Sequence, residues 1–534
     1  MSTTAAGCEP AEGIESARNT ESKKKHRIRD AIVALSLANV CLISAWFPLL
    51  YDQDKGYFNK ALITRAELLA LGANIAGFSI VAWLVMRVMA RTSKNILRTF
   101  SDLLLAALLI FPIDFCRRFI FHIPDYRIAT FFLSPIVWPA VVLALAAMIW
   151  QHRNIRRVVA VLLIIVSPLA VIVLARIALL CTGVEHLAQH TTEPTFQPLM
   201  PVKANQARVI WVIFDETDQR LAFEQRPAGV SLPEFDALRA VSLYATNAYP
   251  PGGSTLLSIP ALTIGRQVSD VVVKNASDLS IKFADTGETA SWSEQASIFS
   301  SARELGFNSA IVGWFHPYGR IFSRDVSYAN WHPMQTFEPA PAERFGAAMV
   351  DQLSCLGGPF HGRRLFIDLC RSSIQEAVAA VTNSNYGLVY LHLPPPHKPG
   401  VYLPDKDAFT ACGMDKATGY FNNLTLADRA LGKMRHAMVE TGEWDKTWFI
   451  LSADHSWRQS AVYDGRRDLR VPFLVKAPDQ SESLTYSAKI NTVLTRNLIL
   501  AMLKREITNE VDVAKWIDDH HTSEMPINGF MVPD

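Results

Sequence analysis

The apolar positions of this chain are bunched rather than spread. Ala31 to Leu50, Leu68 to Met86, Ile128 to Gln151 and Val158 to Ala175 contain no charged side chain. Each is long enough to cross about 30 Å of hydrocarbon as a helix. A fifth stretch, Ser101 to His122, opens with the apolar run Leu103–Ile113 and then carries Asp114, Arg117 and Arg118. It predicts a span only if Asp114 and Arg117 pair inside a bundle, since charges facing lipid are costly. Basic residues alternate along these stretches. Lys23, Lys24, Lys25, Arg27 and Arg29 precede the first, Arg87, Arg91, Lys94 and Arg98 follow the second, and Arg153, Arg156 and Arg157 follow the fourth. By the excess of positive charge on cytoplasmic loops, this alternation predicts five helices, a cytoplasmic N-terminus, and an extracytoplasmic chain after about Cys181.

Beyond the last apolar run the pattern changes. A polar connector with Pro194, Pro198 and Pro201 leads into short, continuous apolar runs: Arg208–Phe214, Ser309–Trp314, Gly387–Leu393, Thr447–Leu451 and Val471–Val475. Such runs read as strands buried on both faces. Helical periodicity lies between them at Ser297–Leu305, Leu424–Val439 and Asn491–Leu503. The alternation predicts an α/β domain with a mostly parallel sheet between helices. The expected organisation is a polar cytoplasmic tail over residues 1–30, a transmembrane domain over 31–182, a linker over 183–206 and a catalytic domain over 207–534.

Composition agrees with a divided chain. Of the 534 residues, 50% are hydrophobic and 19% charged, which excludes a disordered or disulfide-stapled chain. The net charge of +2 carries no nucleic-acid footprint. Cys355 and Cys370 fall in the outer part, where an oxidising compartment would allow them to pair.

Open α/β sheets gather their sites at the carboxyl ends of the strands. Here the first strand runs into Asp215-Glu216-Thr217-Asp218 and the fourth into Ser452-Ala453-Asp454-His455. A carboxylate beside an imidazole suits Zn²⁺ or Mn²⁺ better than Ca²⁺. The loop Pro250-Pro-Gly-Gly-Ser-Thr255 enters an apolar run. Thr255 thus falls near a helix N-terminus, where Ser254 or Thr255 can cap the helix or a bound phosphate can take the free N–H groups. His392 and His397 flank a proline-rich loop after another strand, and His316 follows Trp314-Phe315.

Taken in order, these motifs resemble the alkaline phosphatase superfamily, and more narrowly its membrane-anchored, sulfatase-like enzymes: the lipid A phosphoethanolamine transferases and lipoteichoic acid synthases. Those enzymes also carry five N-terminal helices before an extracytoplasmic catalytic domain. The resemblance implies a multi-pass protein of the bacterial inner membrane with a periplasmic catalytic domain. It implies Glu216 as a metal ligand with Asp215 as alternative or companion, Thr255 as metal-bound nucleophile, Asp454 and His455 as further ligands, and His392 and His397 near the substrate phosphate. The implied reaction moves phosphoethanolamine or phosphoglycerol from a phospholipid donor to an envelope glycan or lipid through a phospho-threonine. A phosphodiester or sulfate-ester hydrolase of the same superfamily, and an inactive envelope scaffold, are the alternatives. The chain departs from the pattern in places. Ser254-Thr-Leu-Leu-Ser-Ile-Pro-Ala is not the Cys/Ser-x-Pro-x-Arg box of true sulfatases, and Ala261 and Ser456-Trp457 replace residues usual in the transferases. Arg466, Arg467 and Arg470 stand where a further histidine is expected, with guanidinium groups suited to a phosphate.

Overall fold

The computed structural model describes residues 11–51, 56–58, 63–92, 94–121, 123, 131, 134–183, 194–333, 345–357 and 359–520. Two compact units share the chain: Met1–Asp52, Ile63–Leu187 and Pro339–Gly358 form one, and Gln53–Leu62, Ala188–Glu338 and Pro359–Asp534 the other. Where the hydropathy pattern divides the chain once, the contacts exchange two further segments between the units.

The first unit is helical. Arg65–Arg91 and Asn95–Ile120 are each long and apolar enough to cross a membrane, and two bent pairs, Lys24–Cys41 with Ile43–Leu50 and His152–Ile165 with Ser167–Thr182, qualify if each pair is one span. Among the described residues, two helices, or up to four if each bent pair is one span, thus have the length and composition to cross a membrane, and the remaining expected stretch is described only in part. The difference lies at Ile128–Gln151. Only Val137–Trp150 is helical there, about 21 Å at 1.5 Å per residue. Pro135 disfavours helical backbone at Ser134, the chain turns at 134–136, and 128–130 and 132–133 lie outside the described residues. The charged stretch after Ile113 is helical, and both Arg117 and Arg118 pair with Asp114, at 2.7 and 2.6 Å. Asp102, nearby in sequence, is buried between His152 at 2.9 Å and Arg156 at 3.1 Å. Thr64 and Glu67 start the Arg65–Arg91 helix with a reciprocal capping box.

The second unit is built on an eight-stranded sheet. In chain order its strands are β1 (Val209–Phe214), β2 (Leu243–Ala245), β3 (Ser309–Trp314), β4 (Tyr328–His332), β5 (Leu388–Leu393), β6 (Trp448–Ser452), β7 (Phe473–Lys476) and β8 (Leu484–Tyr486). They lie side by side as β8-β2-β7-β6-β1-β5-β3-β4, and every strand except β7 points the same way. The apolar run of β1 is continuous because the sheet is covered twice. Val209, Trp211 and Ile213 enter one core cluster, while Ile210, Val212 and Phe214 enter the other. A period of two over a continuous run therefore supplies both layers.

The cysteine pairing is not formed. Cys355 and Cys370 are free thiols. Cys370 is packed in the core of the sheet unit, whereas Cys355 belongs to a segment of the helical unit.

Candidate active site

Because β1, β5, β3 and β6 are parallel, their carboxyl ends share one edge of the sheet. In register, Ile213 on β1 faces His392 on β5 and Ser452 on β6. Asp215 and Glu216 therefore leave β1 between the residues that leave its two neighbours. Asp215, His392 and Asp454 offer ligand atoms that all lie within 4.8 Å of one another, and all three are buried. Thr255 Oγ1 stands 3.4 Å from Asp215 Oδ2 and 3.4 Å from His455 Nε2. His455 Nε2 is 3.8 Å from Asp215 Oδ1 and 3.5 Å from Asp454 Oδ2.

The hydrogen bonds at the back of the cluster orient it. His455 Nδ1 lies 3.0 Å from the Ser456 carbonyl. A carbonyl only accepts, so Nδ1 carries the proton and the Nε2 lone pair points toward Thr255, Asp215 and Asp454. Tyr318 OH is 2.8 Å from His392 Nδ1, which aims His392 Nε2 at Asp215 Oδ2, 3.6 Å away. Among the described residues, Asp215 Oδ1, Asp454 Oδ2 and His392 Nε2 have no hydrogen-bond partner although buried. Buried polar atoms are normally satisfied. Two orphaned carboxylate oxygens and an orphaned imidazole nitrogen around one point fit a divalent cation, which would satisfy them together.

Electrostatics follows from this crowding. Burial, and next the Asp454 carboxylate, pushes the Asp215 carboxyl up to about 7. Burial pulls the imidazoles of His392 and His316 down to about 4 and about 3. Burial also works to raise Glu216, but His397, His455 and Arg458 together hold it below the usual carboxylate range. Glu216 sits at a φ of 63°, a left-handed conformation uncommon outside glycine and of the kind that clusters at functional sites. Its backbone N–H donates to Asp454 Oδ1 over 3.3 Å, and Arg458 Nε donates to its Oε1 over 3.0 Å.

Thr255 opens the helix Thr255–Ile264, and Ser254 at the N-cap makes no side-chain cap. Leu257 N–H turns back onto the Ser254 carbonyl at 3.0 Å, which leaves the Thr255 and Leu256 N–H groups to face an anionic ligand. The preceding loop folds hard against this helix, because a Cβ on Gly252 would stand 2.7 Å from Leu257 Cβ. Behind Thr255, His316 Nε2 reaches the Thr255 carbonyl at 3.3 Å and its Nδ1 meets Tyr57 OH at 2.8 Å. The carbonyl again sets the tautomer: Nε2 donates, and Nδ1 accepts from the tyrosine.

Asp215, Thr255, Asp454, His455 and His392 are thus brought together, with Glu216 adjoining through Asp454 and Arg458. His397 stands at the edge. Its ring packs on Trp314 at 4.9 Å and its Nδ1 faces the Lys398 carbonyl at 2.7 Å, while its charge favours the ionised forms of Asp215 and Glu216. Of the arginines singled out for a phosphate, Arg470 is closed off by Asp468 and Glu224. Sequence reasoning missed Arg458, whose place three residues after His455 was the available signal. It also missed Tyr318 and Tyr57, which carry none.

The family model for sulfatases matches residues 208–501, a stretch holding every residue of the cluster. The chain belongs to the sulfatase family. The family's members act on sulfate or phosphate esters and are typically metal-dependent, in keeping with the Asp215, His392 and Asp454 group. Among solved structures, this sulfatase-family chain is similar to Ps i-CgsB in complex with k-i-k-neocarrahexaose, at 14% identity and a TM-score of 0.44 over 59% of this chain and 77% of that one. It is similar to the PsFucS1 sulfatase from Pseudoalteromonas sp., at 15% identity and 0.40 over 58% and 74%. It is also similar to the phosphonate monoester hydrolase of Agrobacterium radiobacter, at 13% and 0.37 over 56% and 74%. No curated protein matches the chain.

Proposed function

We propose that this sulfatase-family protein is a membrane-anchored, metal-dependent phosphotransferase. It takes a phosphoethanolamine or phosphoglycerol group from a phospholipid donor and passes it to an envelope glycan or lipid, from the periplasmic face of a bacterial inner membrane. The observation that carries the reading is Thr255 Oγ1, unmodifiable to formylglycine, poised 3.4 Å from both Asp215 and His455.

Zn²⁺ or Mn²⁺ would be held among Asp215, Asp454, His455 and Thr255, with Glu216 and His392 closing the set. Such an ion lowers the pKa of a hydroxyl and polarises a phosphoryl oxygen. The residues of the chain supply the rest. Asp215 accepts the Thr255 proton as Oγ1 attacks phosphorus; the P–Oγ1 bond forms, the bond to the diacylglycerol oxygen breaks, and phospho-threonine results. The N–H groups of Thr255 and Leu256 at the start of the helix receive phosphoryl oxygens. His397, half-exposed at the edge, delivers a proton to the leaving alkoxide and then removes one from the acceptor hydroxyl, whose oxygen bonds to phosphorus as the P–Oγ1 bond breaks and Thr255 recovers its proton from Asp215. The apolar helices support a lipid donor by placing the chain at its source.

The test is peptide mass spectrometry of wild type and Thr255→Ala after incubation with bulk bacterial phospholipid and Zn²⁺ or Mn²⁺. The reading expects an adduct on the Thr255 peptide of the wild type alone, its mass naming the transferred group, and a loss of turnover on the order of 10⁴-fold in the variant. Metal-loaded protein that forms no adduct but releases product without acceptor would make it a hydrolase, and wild-type activity in Thr255→Ala would remove Thr255 from the chemistry.

A further inference from the structure

Between β4 and β5 the chain leaves the sheet unit, and Pro339–Gly358 belongs to the helical unit. The described part is the helix Phe345–Ser354. One stripe of it, Ala348 and Gln352 continuing to Cys355, is buried, at the spacing of successive helical turns. Gln352 Nε2 donates to the Glu67 carbonyl over 2.9 Å, and Asn74 Nδ2 donates to Gln352 Oε1 over 3.0 Å and to the Met349 carbonyl over 3.1 Å. The helix is therefore fastened along Glu67–Asn74 of the candidate span Arg65–Arg91.

The opposite stripe is apolar and uncovered. Val350 is 70% exposed and Leu353 36%, and Asp351 is the helix's sole charged residue. A soluble surface puts charge on such a face. The same exposure of large apolar side chains continues on the span, at Leu69, Ile80, Val81, Leu84 and Val88. Depth follows from helix geometry: Leu68, where the charge-free run begins, to Asn74 is about 9 Å at 1.5 Å per residue. That matches the 5–10 Å to which interfacial helices bury their apolar face.

We propose that Phe345–Ser354 is an interfacial membrane helix, docked on the span through Gln352 and presenting Val350 and Leu353 to the headgroup–acyl boundary of the bilayer. The catalytic sequence thus returns to the membrane between two of its own strands. The inference rests on reading Arg65–Arg91 as a span, and the experiment separates the two.

In the full chain reconstituted in phospholipid nanodiscs, a benzoylphenylalanine photocrosslinker replaces Val350, Leu353, Leu84 or Val462 one at a time, and lipid adducts are measured by mass spectrometry. Val462, exposed on the sheet unit, reports background. The proposal expects adducts at positions 350 and 353 comparable with those at 84 and at least about tenfold above 462. Adducts at 84 with only background at both 350 and 353 overturn the interfacial helix while leaving the span intact. Background at 84 as well overturns both.

Discussion

Acidic side chains stand in apolar surroundings in both units, and their partners differ. In the helical unit, Asp102 has an oxygen on His152 and an oxygen on Arg156, and Asp114 is shared by Arg117 and Arg118. In the sheet unit, Asp215 and Asp454 each keep a buried oxygen without a partner, and they raise one another's cost by proximity. A paired buried charge is structural, because removing one member strands the other. An unpaired one is a standing expense to the fold, tolerated where a ligand completes it.

The contrast can be broken by opposite responses to the same kind of substitution. Asp454→Asn should weaken Zn²⁺ binding, read by chelator competition, by more than the roughly hundredfold typical of residues that only support a metal ligand. In metal-free protein the same change should raise the melting temperature by a few degrees, since it relieves the Asp215–Asp454 repulsion. A lower melting temperature would mean that the cluster is held together by something other than a missing cation. Asp102→Ala should do the reverse. It leaves His152 and Arg156 without their carboxylate and should cost about 3 kcal/mol, seen as a lower melting temperature in detergent with unchanged metal content.

The smallest effect is a pH slope. His316 is buried neutral, with its pKa held near 3 against 6.5 in an unfolded chain. As pH falls below 6.5 the unfolded state takes up a proton that the native state refuses, so stability drops by about 1.4 kcal/mol per pH unit. Above 6.5 the contribution is constant. His316→Gln should flatten the acid limb of a melting-temperature profile; an unchanged limb would assign it to other groups.

Much of this was legible in the sequence, for a specific reason. A strand covered on both faces must be apolar throughout, so β1, β3, β5, β6 and β7 stand out, and a polar residue just past such a run has no packing role to explain it. Asp215 and Asp454 were found in that way, whereas Thr255 came from the Gly-Gly-Ser-Thr loop that opens an apolar run and His392 from the histidine pair around the proline-rich loop. The three-residue strands β2 and β8 lack the length to show a pattern, and β4, at the edge of the sheet, is only partly buried and so has no continuous apolar run. Tyr318 shows the other limit. It reaches His392 because Gly313, on β3, has no Cβ where one would stand 2.4 Å from the tyrosine ring. Nothing in a Gly-Trp-Phe-His-Pro-Tyr string announces that fit. Nor does the apolar run at 345–354 reveal on its own that it leaves one unit for the other, since its partners Glu67 and Asn74 are hundreds of residues away.

Tyr57 gives the interleaving a practical meaning. It precedes the second apolar stretch by sequence, yet it is fully buried in the sheet unit against His316, whose other nitrogen holds the backbone of Thr255. A protease cutting within residues 184–193 would release a polypeptide carrying every strand of the sheet and none of this tyrosine. His316 Nδ1 would then lie buried without its donor, at a cost of about 1–3 kcal/mol, directly behind Thr255. Releasing the sheet unit is therefore not a neutral scission, and the backbone of Thr255 senses, through one phenol, whether it is still attached.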